Sequence, residues 1–220
     1  MHKPETVYDH VLPKLVAQIS ELEKSGKRRL VAIAGMPASG KSTLAGELEQ
    51  FLRAKGINAA NVPMDGFHLD NTILDARGLR ARKGAPETFD ADGFVNLVHR
   101  IRTEDDVFYP VFDRSRDASI AGAGHLSADT ELAIFEGNYL LFSEDPWKQL
   151  ADLWEFSIWI DTPEQLVTER CIKRWLDHGH SAEEARQRAE QNDLRNARRI
   201  SQHRLPADID IVDPEHIHAS

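Results

Sequence analysis

The sequence predicts a three-layer α/β/α fold with a mainly parallel sheet and a helical lid. Three observations lead there. Short apolar runs, suited to strands buried on both faces, alternate with longer segments of helical period. One of those runs passes directly into a glycine-rich loop that opens a helix, "AIAGMPASGKST" at residues 32–43. No internal repeat, low-complexity tract or Pro/Ser linker interrupts the chain, so residues 1–220 read as one domain.

In chain order, Tyr8, Leu12, Leu15, Ile19 and Leu22 fall at helical spacing and predict an amphipathic helix within residues 1–29. That face could pack on its own sheet or on a second copy as a homodimer. Residues 30–34 form the first strand, and residues 42–54 a helix that stops at Gly56. Residues 58–64 resemble a second strand. Asp90 is placed to cap a helix through residue 102, whose apolar face is Phe94, Leu97, Val98 and Ile101. Residues 107–112 and 131–135 read as further strands, with a glycine-containing excursion at 120–126 between them. "WEFSIWID" supplies another strand, and "ADIDIVD" a last one. Between these lie two helical segments, 163–177 and 182–201.

Hydrophobic residues make up 41% of the 220, enough for a substantial core. No apolar run approaches the ~18 residues of a membrane span, and the N-terminus lacks the pattern of a secretory signal. The single cysteine, Cys171, excludes an internal disulfide and suits a reducing cytoplasm, where it reads as a small buried hydrophobe. The net charge of −9 argues against tracking a nucleic-acid backbone, so an anionic substrate must meet local positive charge.

Gly35-Met36-Pro37-Ala38-Ser39-Gly40-Lys41-Ser42 fits G-x-x-x-x-G-K-[ST], with a strand before it and a helix after. Glycines let backbone N–H groups turn inward around phosphates, and the helix N-terminus adds its positive end. Lys41 would reach the β- and γ-phosphates of ATP, Ser42 would ligate Mg²⁺, and Thr43 would donate to an inner phosphate. The Asn-Lys-x-Asp base-reading motif of switch GTPases is absent.

Asp65, in "VPMDGFHLDN", follows the second strand, where this fold delivers residues to its ligand edge. It can align or deprotonate an attacking hydroxyl, or cap a turn with Gly66. Glu136, ending the apolar strand of "LAIFEGNYLL", is placed for a second metal-associated carboxylate, with Asn138 and Tyr139 continuing toward a substrate. His68 is a candidate substrate contact or an ordinary surface histidine. The long segments "ARGLRARKGAPETFD" and "FYPVFDRSRD" mix basic, polar and aromatic groups, as binding loops do. They offer Arg77, Arg80, Phe89, Asp90, Tyr109 and Arg114, with Arg82, Lys83 and Asp113 beside them. Arg170 and Arg174, four apart on one helix face, suit a lid closing cations over transferring phosphate. The His178/His180 and His216/His218 pairs lack a surrounding ligand pattern and read as surface residues.

The glycine loop, "MDGFH", "KGAPETFD", "YPVFDRS", "FEGNYLL", "IDTP" and "ERCIKRW" appear in order, and together they resemble the family of uridine kinases, type I pantothenate kinases and phosphoribulokinases. Within that family the pattern is most similar to fructose transport system kinases. The resemblance covers nearly the whole chain from Leu30. It implies a P-loop kinase fold using ATP and Mg²⁺, with Asp65 as general base, Glu136 as the Mg²⁺ acid and Arg170 and Arg174 in a lid spanning about 163–200. It also implies acceptor contacts from the 77–90 and 109–114 loops. The acceptor would be a small-molecule hydroxyl, on a sugar such as fructose or on pantothenate or a nucleoside. A nucleotide-binding regulatory NTPase serving a transport system is the alternative of another class. The lid has fewer arginines than uridine kinases carry, with Cys171, Trp175 and His178 where basic residues are expected.

Overall fold

The computed structural model describes residues 7–23 and 25–214. Five strands make one sheet: β1 (Arg29–Gly35), β2 (Ala59–Pro63), β5 (Leu132–Gly137), β6 (Phe156–Asp161) and β7 (Ile209–Val212). Their order is β2-β5-β1-β6-β7, and every pairing is parallel. The three central strands are almost wholly buried because helices cover both faces.

Alternation along the strands sorts the core into two layers. Val31, Ile33, Ile134, Ile158 and Ile160 face α1 (Leu12–Ser20) and α2 (Lys41–Ala54). Leu30, Ala32, Phe135 and Trp159 face α4 (Ala91–Thr103), α5 (Glu164–Asp177) and α7 (Leu194–Gln202). The N-terminal helix thus packs on its own sheet, burying Leu12, Leu15 and Ile19 completely. Each such burial contributes about 1.5–3 kcal/mol. Pro13 opens this helix at Leu12 rather than at Tyr8, which lies in the preceding turn and is buried in the same core layer.

Two elements differ from expectation. The 107–112 strand does not join the sheet. It is β3 (Val107–Asp113), paired antiparallel with β4 (Ala118–Leu126), which occupies the supposed excursion. A short turn joins them, so they pair locally as a hairpin. Val107, Tyr109 and Leu126 are buried in the core and Val111 packs against it, while Phe108 is 59% exposed. The second helical segment is broken into α6 (Ala182–Arg188), a π-helical turn (Ala189–Asp193) and α7. A short α3 (Asn71–Ala76) completes the set, capped by Asp70. No helix among the described residues is long and apolar enough to cross a membrane.

Candidate active site

The glycine loop, the segment after β2 and the end of β5 share one edge of the sheet, beyond the strands' carboxyl ends. Pro63 pairs with Glu136 and Ala34 with Gly137, so β5 delivers Glu136 between the glycine loop and Asp65. Open parallel sheets bind ligands at this edge.

The loop is shaped by backbone few residues tolerate. Gly40 has φ +87° and Ala38 φ +59°. A β-carbon on Gly35 would come within 2.6 Å of the Ser39 hydroxyl. Lys41 opens α2 with its ammonium folded back, donating to the Met36 carbonyl at 2.7 Å. Burial pulls its pKa down to about 8, opposed by Glu136 and Asp65. A buried cation with two nearby carboxylates and a flexible stem is a fitting partner for terminal phosphates.

Ser42 donates its hydroxyl to Glu136 Oε1 at 3.0 Å. Burial first, and then the neighbouring Asp65 carboxylate, raise the Glu136 pKa. Lys41 and Arg114 oppose that rise without cancelling it, and the Ser42–Glu136 pair supplies hard oxygen donors suited to Mg²⁺. Such an ion needs only one or two protein ligands beside phosphate and water.

Asp65 sits in a 3₁₀ turn (Met64–Phe67) immediately after β2. Gly66 is needed there because a β-carbon would enter the Pro110 carbonyl of β3. The two Asp65 oxygens lie 3.9 Å from His68 Nε2 and 3.7 Å from the Arg114 guanidinium. His68 stacks on Phe89, with ring centroids 4.0 Å apart, and leans on Phe112. Burial depresses its pKa to about 4, and its Nδ1 is buried without a hydrogen-bond partner.

The structure therefore brings together Lys41, Ser42, Glu136, Asp65, His68 and Arg114, with Phe89 behind the histidine. Others among the expected contacts are engaged elsewhere. Asp90 caps α4, accepting from the Gly93 N–H at 3.0 Å. The Tyr109 and Tyr139 hydroxyls, on buried rings, donate to the carbonyls of Asn61 and Gly84. Burial raises both phenol pKa values, that of Tyr109 to about 12. Asn138 is half-buried just past β5. Arg80 pairs with Asp75 at 3.2 Å and Asp117 at 3.8 Å. Arg77 lines an open cleft of about 460 Å³ together with Glu87, Phe89, Asp90, Glu144 and Trp147. Arg199, also on that cleft, is bound to Glu87 and Glu144.

On α5, the two arginines expected in a lid are both anchored. Arg170 grips Asp213 through two bonds of 2.6 and 2.9 Å and donates to the Ala38 carbonyl at 3.1 Å. Arg174 pairs with Asp193 at 3.0 Å and lies over the Trp175 ring. Trp175 itself donates to Asp193 at 2.7 Å. Sequence reading missed Asp193 and Asp213, because nothing in local spacing marks a partner so distant. Cys171 is fully buried in the core, and burial raises its thiol to about 11. His178 bonds the Arg174 carbonyl and His180 packs edge-on to Trp175; the His216/His218 pair lies outside the described residues.

The chain is similar to known proteins. Residues 30–196 match the Phosphoribulokinase / Uridine kinase family. The chain is 38% identical over 155 residues to the Escherichia coli K12 "Uncharacterized protein YggC", an alignment covering 70% of this chain and 64% of that protein. It is 32% identical over 212 residues to the Schizosaccharomyces pombe "Putative uridine kinase C227.14", covering 92% of this chain and 88% of that one. Among solved structures, the "putative fructose transport system kinase" from Silicibacter sp. TM1040 superposes with TM-score 0.88 at 48% identity. That match covers 91% of this chain and 98% of the other. With the glycine loop, the strand-end acids and these matches in agreement, the chain belongs to the Phosphoribulokinase / Uridine kinase family, P-loop kinases that use ATP with Mg²⁺.

Proposed function

We propose that the protein is a cytoplasmic, single-domain kinase that moves the γ-phosphoryl group of ATP to a hydroxyl of a small molecule of the sugar type. The observation that carries this reading is the convergence of the Ser42–Glu136 pair, Lys41 and Asp65 at neighbouring strand ends. The 48% identity to the Silicibacter protein makes fructose and its derivatives the first acceptors to try.

Asp65 receives or aligns the acceptor's hydroxyl proton. The hydroxyl oxygen forms the new bond to phosphorus, the bond from phosphorus to the β,γ-bridging oxygen breaks, and ADP leaves. Lys41 carries its charge to the β- and γ-phosphates, exchanging the Met36 carbonyl for phosphate oxygen. Mg²⁺, held by Ser42 and Glu136, would neutralise charge on the phosphates. Arg174 stands on the lid over the same region and contributes to the field at Lys41.

The deciding experiment measures ADP formation with and without candidate acceptors, in the natural chain and two variants. Asp65→Asn should retain ATP binding and lose about 10²-fold or more in turnover, the range for loss of a general base. Lys41→Ala should weaken ATP binding. Unchanged transfer by the Asp65 variant refutes the base assignment, and ATP turnover indifferent to every acceptor refutes the kinase reading in favour of an NTPase.

A further inference from the structure

A kinase of this kind could take neutral or charged acceptors, and the turn between β3 and β4 separates the two. That turn is internally braced. Asp113 accepts from the Ser115 N–H and hydroxyl at 2.9 and 2.6 Å and from the Arg116 N–H at 3.2 Å. Its second oxygen lies 3.4 Å from the Arg116 guanidinium. Asp117, at φ +50°, accepts from Lys83 and Asn71, each at 2.7 Å, and Arg80 stands 3.8 Å away. Lys83 also donates to Asn71. The charges of Arg80, Lys83, Asp113, Arg116 and Asp117 are thus paired within this corner.

Arg114 is placed differently. Its side chain is 71% exposed, and its guanidinium faces Asp65 Oδ2 at 3.7 Å. The braced turn holds a cation against the carboxylate that the proposed reaction uses as its base. That pairing sets the guanidinium beside the oxygen an incoming hydroxyl must address. An acceptor bearing its own anion resolves the conflict. It draws the guanidinium onto itself and leaves Oδ2 to the hydroxyl. The planar fork of donors matches a carboxylate or phosphate through two parallel bonds.

From the kinase reading above, on which this rests, we infer that the acceptor carries a carboxylate or phosphate a few bonds from the hydroxyl it presents, and that Arg114 recognises that anion. The short spacing follows because hydroxyl and guanidinium address the same Asp65 carboxylate.

The test follows ADP formation from Mg·ATP by the full chain over acceptors paired to differ in the anion. Glycerate is set against glycerol, fructose 1-phosphate and fructose 6-phosphate against fructose, and pantothenate against pantothenyl alcohol. The anionic member of at least one pair should exceed its neutral partner by about tenfold or more in kcat/KM, the scale of one bond to a charged group. The carboxylate and phosphate pairs tell the two anions apart. For that acceptor, Arg114→Gln should raise KM by about tenfold or more, move the KM of Mg·ATP less, and yield partly to rescue by Arg114→Lys. Neutral members that match or surpass their anionic partners throughout would overturn the inference and leave the kinase reading standing. So would an Arg114→Gln variant that lowers kcat equally for all acceptors, since that places the guanidinium on the transferring phosphoryl group. ATP turnover that no acceptor stimulates would overturn both.

Discussion

Burial between the rings of Phe89 and Phe112 pushes the His68 imidazole down to about 4, so it is neutral wherever the enzyme is expected to work. The unfolded chain would protonate the same ring near its ordinary value of 6.5. Between those values the unfolded state binds more protons, so stability rises with pH there. The contribution is complete above 6.5 and drains away as pH falls through 4. Its ceiling is about 3 kcal/mol, from roughly 1.4 kcal/mol per pKa unit. His68→Phe should therefore flatten the loss of unfolding free energy between pH 7 and 4.5, measured by urea titration. Equal slopes in the two proteins would show that the buried imidazole is not the source. Asp90 poses a choice of roles at the same scale. Its carboxylate caps α4 and also lines the cleft with Arg77. As a cap it is worth about 1 kcal/mol. Asp90→Ala should cost that much stability, and Asp90→Ser should restore it, with acceptor KM unmoved in both. A KM that climbs in the serine variant would return Asp90 to the acceptor site.

Elements were legible in the sequence where their burial is uniform and illegible where it is not. The central strands read directly from their apolar runs, because both faces are covered and every residue is under the same pressure. The β3–β4 hairpin mixes buried Val107 and Tyr109 with exposed Phe108, and glycines in β4 masked a strand as a loop. Gly124 is there because a β-carbon would enter the Tyr109 ring across the ladder. The 3₁₀ turn carrying Asp65 leans on the same hairpin through Gly66. Gly66→Ala should push that turn off Pro110, lowering Tm by several degrees and acceptor-dependent turnover together, since overpacking of this kind costs about 1–3 kcal/mol. A variant with unchanged Tm and rate would mean that the turn and hairpin can part freely. The glycine loop and the strand-end acids were also readable, because the fold itself dictates where they go. The partners of Arg170 and Arg174 were not. Arg174 reaches Asp193 at the end of a π-helical turn, and no periodicity announces that turn.

Across the whole molecule, contacts distant in sequence gather on the glycine loop. Glu47, nearly two turns into α2, accepts hydrogen bonds from the backbone of Val7 and Tyr8, each at 3.0 Å. A β-carbon on Gly40 would meet the Tyr8 hydroxyl at 2.6 Å. From the other end, Asp213, 1% exposed and just past β7, receives Thr162 and both arms of Arg170, and Arg170 passes the restraint to the Ala38 carbonyl. Asp213→Asn should keep the volume and weaken the grip, so ADP affinity in direct titration should fall while acceptor KM shifts less. Equal losses for both ligands would reduce the aspartate to a general structural part. Tyr8 and Asp213 thus brace the same glycine loop from opposite sides of the sequence. A backbone cut beside either residue would be felt first as slackened nucleotide retention.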